Sequence, residues 1–240
     1  MSEDLEYPHA LAADTQIPSE TSHLEQRMKL SVRGLVFARG AKPFARIKDF
    51  DLCGGQSVAL VGPSGSGKST ALMALAGIHP PAAGTILIDK TDPWVLNSRA
   101  RDRFRGQHIG LVFQSFHLVD AISVSANIKL ASKCAPKPGL DKTRLSTLLD
   151  RLGLSAIQNR RADRISHGQA QRVAVARAMF NAPDILLADE PSSALDDRNA
   201  DTLMSLLTEA AVSENAGLVV ATHDRRVLDA VDCVVEMEAI

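Results

Sequence analysis

Leu30, Val32 and Leu35-Val36-Phe37 alternate with polar neighbours, the period of a half-buried strand, and predict an edge strand at the start of the domain. A turn at Arg39-Gly40 and a hairpin partner over Ile47 to Leu52 follow. Gly54-Gly55 then leads into Ser57-Val58-Ala59-Leu60-Val61, an unbroken apolar run of strand length, as expected of a strand covered on both faces. Comparable runs recur at Thr85 to Ile88, Ile109 to Phe113, Ile185 to Ala188 and Leu218 to Ala221, with a short final strand at Val234-Val235. Between them the period becomes helical. Thr70 to Ala76 reads as a helix, and so does Asp141 to Leu154, where Leu145, Leu148, Leu149 and Leu152 share a face and Gly153 closes it. Ser166 caps a helix reaching Phe180, and Ala200, Leu203, Met204 and Leu207 mark another from Asn199 to Val212. The order predicts an α/β fold: a mostly parallel sheet, an antiparallel β subdomain at the N-terminal side, and a helical insertion over residues 115–163.

Composition narrows the class. The chain has 240 residues, 45% of them hydrophobic, enough for a substantial core. No stretch approaches the roughly 20 apolar residues of a membrane helix, and the start lacks a signal-peptide pattern. Cys53, Cys134 and Cys233 show no metal-ligand spacing and are expected to be reduced packing residues. A net charge of −1 and only seven Phe, one Tyr and one Trp give no case for direct nucleic-acid binding. Residues 1–27 set six acids against Arg27 and read as a disordered acidic leader, leaving 28–238 as one domain. Arg99, Arg101, Arg103 and Arg105 are read as a solvated helix face rather than a phosphate-binding patch.

The chemistry centres on Gly62-Pro63-Ser64-Gly65-Ser66-Gly67-Lys68-Ser69-Thr70, between a strand and a helix. Its spacing fits a phosphate-binding loop: glycines let successive N–H groups turn toward an anion, Lys68 adds a cation, and the Ser69 hydroxyl suits magnesium. Other candidates stand where strands end. Gln114 follows the third run, and Asp189 and Glu190 follow the fourth, suited respectively to magnesium and to a general base for water. His223 follows the fifth and could hold that water or donate to a γ-phosphate; taken alone, a histidine at a strand end is more often structural. Ser166 is either an ordinary cap or part of an anion site, and Phe37 either a core ring or a base-stacking platform.

Together these motifs resemble the ATP-binding cassette ATPases. The phosphate loop comes first, then Val112-Phe113-Gln114 as the glutamine loop and Ile165-Ser166-His167-Gly168-Gln169 as the signature. Ile185 to Glu190 resembles the acidic strand, Ser193-Ala194-Leu195-Asp196 the loop after it, and Ala221-Thr222-His223-Asp224 the histidine switch. Within the family, Val112 to Leu118 and Ala126-Asn127-Ile128-Lys129-Leu130 are most similar to the lipoprotein-release and macrolide-export type. One departure stands out: His167 occupies a signature position that is usually Gly.

The resemblance implies a Mg2+-dependent ATPase working as a head-to-tail homodimer. Lys68, Glu190 and His223 would carry catalysis. Phe37 would stack on the base, and Ser69, Gln114 and Asp189 would serve the metal. Ser166, His167, Gly168 and Gln169 would meet the ATP of the other subunit. It further implies a separate membrane permease partner and a cytoplasmic location on the inner face of the membrane. Two alternatives are a soluble cassette ATPase acting on nucleic acid or ribosomes and a P-loop kinase. The first lacks the coiled-coil or tandem-cassette features expected of it, and the second leaves Ile165 to Gln169 unexplained.

Overall fold

The computed structural model describes residues 27–63, 65–140, 143–192 and 197–240. The acidic leader before Arg27, Ser64 of the phosphate loop, the predicted helix start at Asp141 and the loop Ser193 to Asp196 lie outside the described residues. The chain forms β1 (Met28–Arg39), β2 (Lys42–Ile47), β3 (Phe50–Cys53), β4 (Ser57–Val61), α1 (Lys68–Leu75), β5 (Ala83–Ile88), α2 (Ser98–His108) and β6 (Ile109–Val112). There follow α3 (Val124–Cys134), α4 (Arg144–Arg151), α5 (His167–Met179), β7 (Ile185–Asp189), α6 (Asp197–Glu214), β8 (Gly217–Ala221), α7 (Arg225–Leu228) and β9 (Cys233–Ala239).

One sheet runs β3-β1-β2-β9-β4-β8-β7-β6, with β5 also on β1. β6, β7, β8, β4 and β9 pair in parallel, whereas β1 pairs antiparallel with β2, β3 and β5, and β2 joins β9 antiparallel. The predicted parallel core and antiparallel N-terminal part are both present. β1 is not the expected edge strand, because its twelve residues are long enough to pair along different stretches with three neighbours. The expected hairpin partner of β1 divides into β2, which returns from the turn, and β3, which pairs with the start of β1.

The continuous apolar runs are buried on both faces. Ile185, Leu187, Val219 and Ala221 belong to one apolar cluster with α1 and β1, while Leu186, Ala188, Leu218 and Val220 belong to another with α3 to α6. Strict alternation thus sends successive side chains of one strand into different cores. The segment between β6 and α5 holds helices and short 3-10 turns, as expected of the insertion. Among the described residues no helix is long and apolar enough to cross a membrane. Cys134 and Cys233 are exposed rather than packed, one at the last turn of α3 and the other at the first residue of β9; only Cys53 is half-buried.

Candidate functional site

β4, β6, β7 and β8 are parallel and direct their carboxyl ends to one rim of the sheet, where an open α/β sheet leaves its ligand crevice. β4 delivers the phosphate loop. Gly65 and Gly67 hold φ of 79° and 99°, which only glycine adopts without strain. A side chain at Gly67 would also strike the Phe44 ring, 2.8 Å from where its Cβ would stand. α1 begins at Lys68 with no side-chain cap on its first N–H groups. A helix start left in that condition is suited to an anion.

Lys68 is only 7% exposed, and its Nζ donates to the carbonyl oxygens of Gly62 at 2.9 Å and Pro63 at 3.4 Å. The same nitrogen lies 3.7 Å from Glu190 Oε1. Ser69 Oγ donates to Asp189 Oδ1 at 3.0 Å. His223 Nδ1 lies 3.0 Å and 2.9 Å from the two oxygens of Glu190. Lys68, Ser69, Asp189, Glu190 and His223 therefore form one constellation, assembled from three strand ends. Burial holds the Asp189 carboxyl above its ordinary value; Glu190 beside it adds to this, and the Ser69 hydrogen bond and Lys68 oppose it. Glu190 takes φ of 44°, a left-handed conformation that costs a non-glycine residue about 1 kcal/mol or more. Strain of this kind collects where a side chain must be aimed.

The remaining candidates stand around this centre. Gly62 and Ser66 pack within the loop, and Ser66 N donates to Pro63 O at 3.1 Å. Thr70 follows in the first turn of α1, and Gln114 is exposed just beyond the carboxyl end of β6. Ser166 caps α5: its Oγ accepts from Gln169 N at 3.3 Å, while Gln169 Oε1 accepts from Ser166 N at 3.0 Å, a reciprocal capping box. Its bonds close within the motif, and His167 and Gly168 are exposed beside it.

Phe37 departs from expectation. It is 1% exposed and shares the inward face of β1 with Leu35, so its ring is a core ring with no face open to a base. The aromatic residue beside the loop is Phe44 of β2, half-buried against Gly67, with the Arg39 guanidinium 5.2 Å over its ring. Only the turn preceding Pro43-Phe44 hinted at this position. Sequence reasoning placed Asp224 in the histidine switch without giving it a role; it caps α7, binds Arg226, and accepts from Ser192 Oγ at 2.8 Å, tying the segment after Glu190 to the segment after His223. The Arg226 hydrogen bonds, working against partial burial, hold the Asp224 carboxyl down at about 2.

Comparisons with known proteins identify the family. The ABC transporter family profile matches residues 46–193. Lipoprotein-releasing system ATP-binding protein LolD 1 of Caulobacter vibrioides is 40% identical over 202 residues, covering 81% of this chain and 86% of that protein. Macrolide export ATP-binding/permease protein MacB of Shewanella sp. (strain ANA-3) is 35% identical over 205 residues, covering 84% of this chain and 31% of that longer protein. A dimeric ATP-binding cassette solved in a post-hydrolysis state with ADP and Pi superposes with a TM-score of 0.71 at 29% identity, covering 85% of this chain and 91% of that one. The chain belongs to the ABC transporter family: it is an ATP-binding, ATP-hydrolysing transporter subunit.

Proposed function

We propose that Glu190, Lys68 and His223 perform the hydrolysis, within a homodimer that closes on ATP and drives a separate membrane permease from the cytoplasmic face. The observation that carries this reading is the meeting of Lys68, Glu190 and His223 at the carboxyl rim, beside an uncapped helix start. The phosphates of ATP lie along the amides of the phosphate loop and compete with Glu190 for Lys68. Glu190 accepts a proton from water, whose oxygen attacks the γ-phosphorus as the bond to the β–γ bridging oxygen breaks, giving phosphate and ADP. His223, hydrogen-bonded to Glu190, orients that carboxylate and the water. Phe44 takes the base-stacking role that burial denies to Phe37.

The residues fit Mg2+, a hard cation that prefers oxygen: a hydroxyl and a carboxylate already stand 3.0 Å apart at Ser69 and Asp189, with the Gln114 amide oxygen as a further candidate. When bound, Mg2+ polarises phosphoryl oxygens and offsets their charge. The cation would add to the Ser69 hydrogen bond and Lys68 in favouring the ionised form of Asp189 against its burial.

Gly168 supports the trans arrangement. It lies in the first turn of α5, where glycine costs about 1 kcal/mol relative to alanine, yet an added Cβ would meet nothing within 4 Å. Among the described residues no neighbour in its own chain demands glycine there. A γ-phosphate brought by the second subunit would, together with Ser166. Resemblance to the lipoprotein-release type favours a partner of that kind, although selectivity for cargo belongs to the permease. The test is gel filtration of Glu190→Gln with ATP and magnesium. An ATP-dependent shift to a dimer is expected, and a monomer at saturating ATP contradicts the reading.

A further inference from the structure

His167 replaces a residue that would have no side chain, so whatever its imidazole touches is a contact created by the departure. The ring lies 5.0 Å from that of Phe116, tilted by 54°. Phe116 belongs to the loop that follows Gln114, and α5 grips the same loop a second time. Arg177, partly buried three turns along the helix, donates to Phe116 O and His117 O, both at 2.6 Å. Burial lowers the Arg177 guanidinium from its usual value, as expected of a cation whose partners are neutral carbonyl groups. The loop itself is shaped tightly: His117 holds φ of 46°, and its ring packs edge-on to Phe113 at 5.2 Å. Two carbonyl contacts and one ring contact thus join the segment carrying Gln114 to the helix whose start carries Ser166 and Gly168.

We propose that His167 is a positioning residue, which by seating on Phe116 locks the start of α5 to the Gln114 loop so that signature and loop move as one body. The proposal rests on the reading that Ser166 and Gly168 meet ATP in trans. Arg177 fixes the loop against the last turn of α5. The Phe116–His167 contact extends that fixation to the first turn, where the anion-facing groups are. Since ATP binds mainly through the phosphate loop, loss of the contact acts on turnover more than on ATP affinity.

The test uses the full chain and two readouts. In proton NMR, Phe116→Leu is expected to shift the His167 Hε1 resonance, assigned by its loss in His167→Gly, because the ring current of Phe116 is gone. In steady-state hydrolysis, His167→Gly and Phe116→Leu are each expected to lower kcat about threefold to tenfold, the range of one aromatic pair, with KM for ATP within about twofold. The double variant should be no slower than the slower single one, and His167→Phe, which keeps a ring, should recover part of the turnover that His167→Gly loses. An unmoved His167 resonance, multiplying effects, or His167→Phe as slow as His167→Gly overturns the proposal, as does faster turnover in His167→Gly. A wild-type chain without ATP turnover, with the resonance still shifting in Phe116→Leu, instead overturns the catalytic reading on which the positioning role rests.

Discussion

The two rims of the parallel sheet handle charge in opposite ways. At the amino ends, Asp184 precedes β7 and accepts from Lys29 Nζ at 2.6 Å, while His108, preceding β6, meets its other oxygen at 2.6 Å. Side chains of Lys29 and Asp184 are only 11% and 14% exposed. Burial pushes the Asp184 carboxyl up, but the hydrogen bonds from His108 and Lys29 outweigh it, and its pKa lies well below the ordinary range. Ser57, opening β4, is closed in the same way by Asp232, which accepts from its N and Oγ at 2.8 and 2.7 Å. At the carboxyl ends Lys68 and Glu190 stand 3.7 Å apart, two carboxylates are adjacent, Asp189 is shifted upward, and Glu190 is strained. One rim satisfies its charges within the chain. The other, in the function proposed above, keeps them for a phosphate, a cation and water.

That contrast sets what each rim should do when broken. Asp184→Ala leaves Lys29 and His108 without their carboxylate in a nearly buried position, and is expected to cost about 3 kcal/mol. Calorimetry should show melting lower by roughly 6 to 12 °C, with ATP turnover per folded molecule little changed. An unaltered melting point would mean that the pairing is ornamental. Phe37 and Phe44 sharpen the same division within the N-terminal strands. Phe37→Ala should cost about 3 kcal/mol by opening a core cavity while leaving KM for ATP alone. Phe44→Ala should raise KM for ATP with a smaller loss of stability, and equal effects on KM would dissolve the distinction.

The smallest effect is acid lability. Asp184 and Asp224 both have folded-state values below the ordinary 3.8, so the unfolded chain takes up protons first as pH falls. Their contribution is fully present above about pH 4 and is lost as pH falls toward about 2, where Asp224 titrates in the folded state. Asp184→Asn should flatten this acid limb in denaturant melts; an unchanged limb would assign the lability elsewhere.

The functional rim was legible because its signals are local. Gly62 to Thr70 is one continuous segment, and Asp189-Glu190 and His223 each end an apolar run, so a strand count alone brings them to one edge. The satisfied rim was not legible. Lys29 and Asp184 lie 155 residues apart, and neither stands in a pattern that announces the other. Phe37 was misplaced because the family resemblance gave it the base-stacking role over the core reading that its place on a strand supports; the three neighbouring strands of β1 cover it. Phe44 was missed because its approach to Gly67 depends on how β2 lies over the loop. Cysteine hydrophobicity likewise could not foretell that Cys134 and Cys233 stand at exposed element ends.

The most direct measurement compares Glu190→Gln with Asp184→Asn in two assays, ATP turnover and thermal melting. Glu190→Gln should hydrolyse ATP at least about 100-fold more slowly and melt closer to wild type than Asp184→Asn does, because Lys68 keeps the carbonyl oxygens of Gly62 and Pro63 and the amide oxygen still accepts from His223. Asp184→Asn should do the reverse, melting lower while turning over normally. If Glu190→Gln keeps its turnover, or loses it only by unfolding, the division of labour between the two rims is wrong.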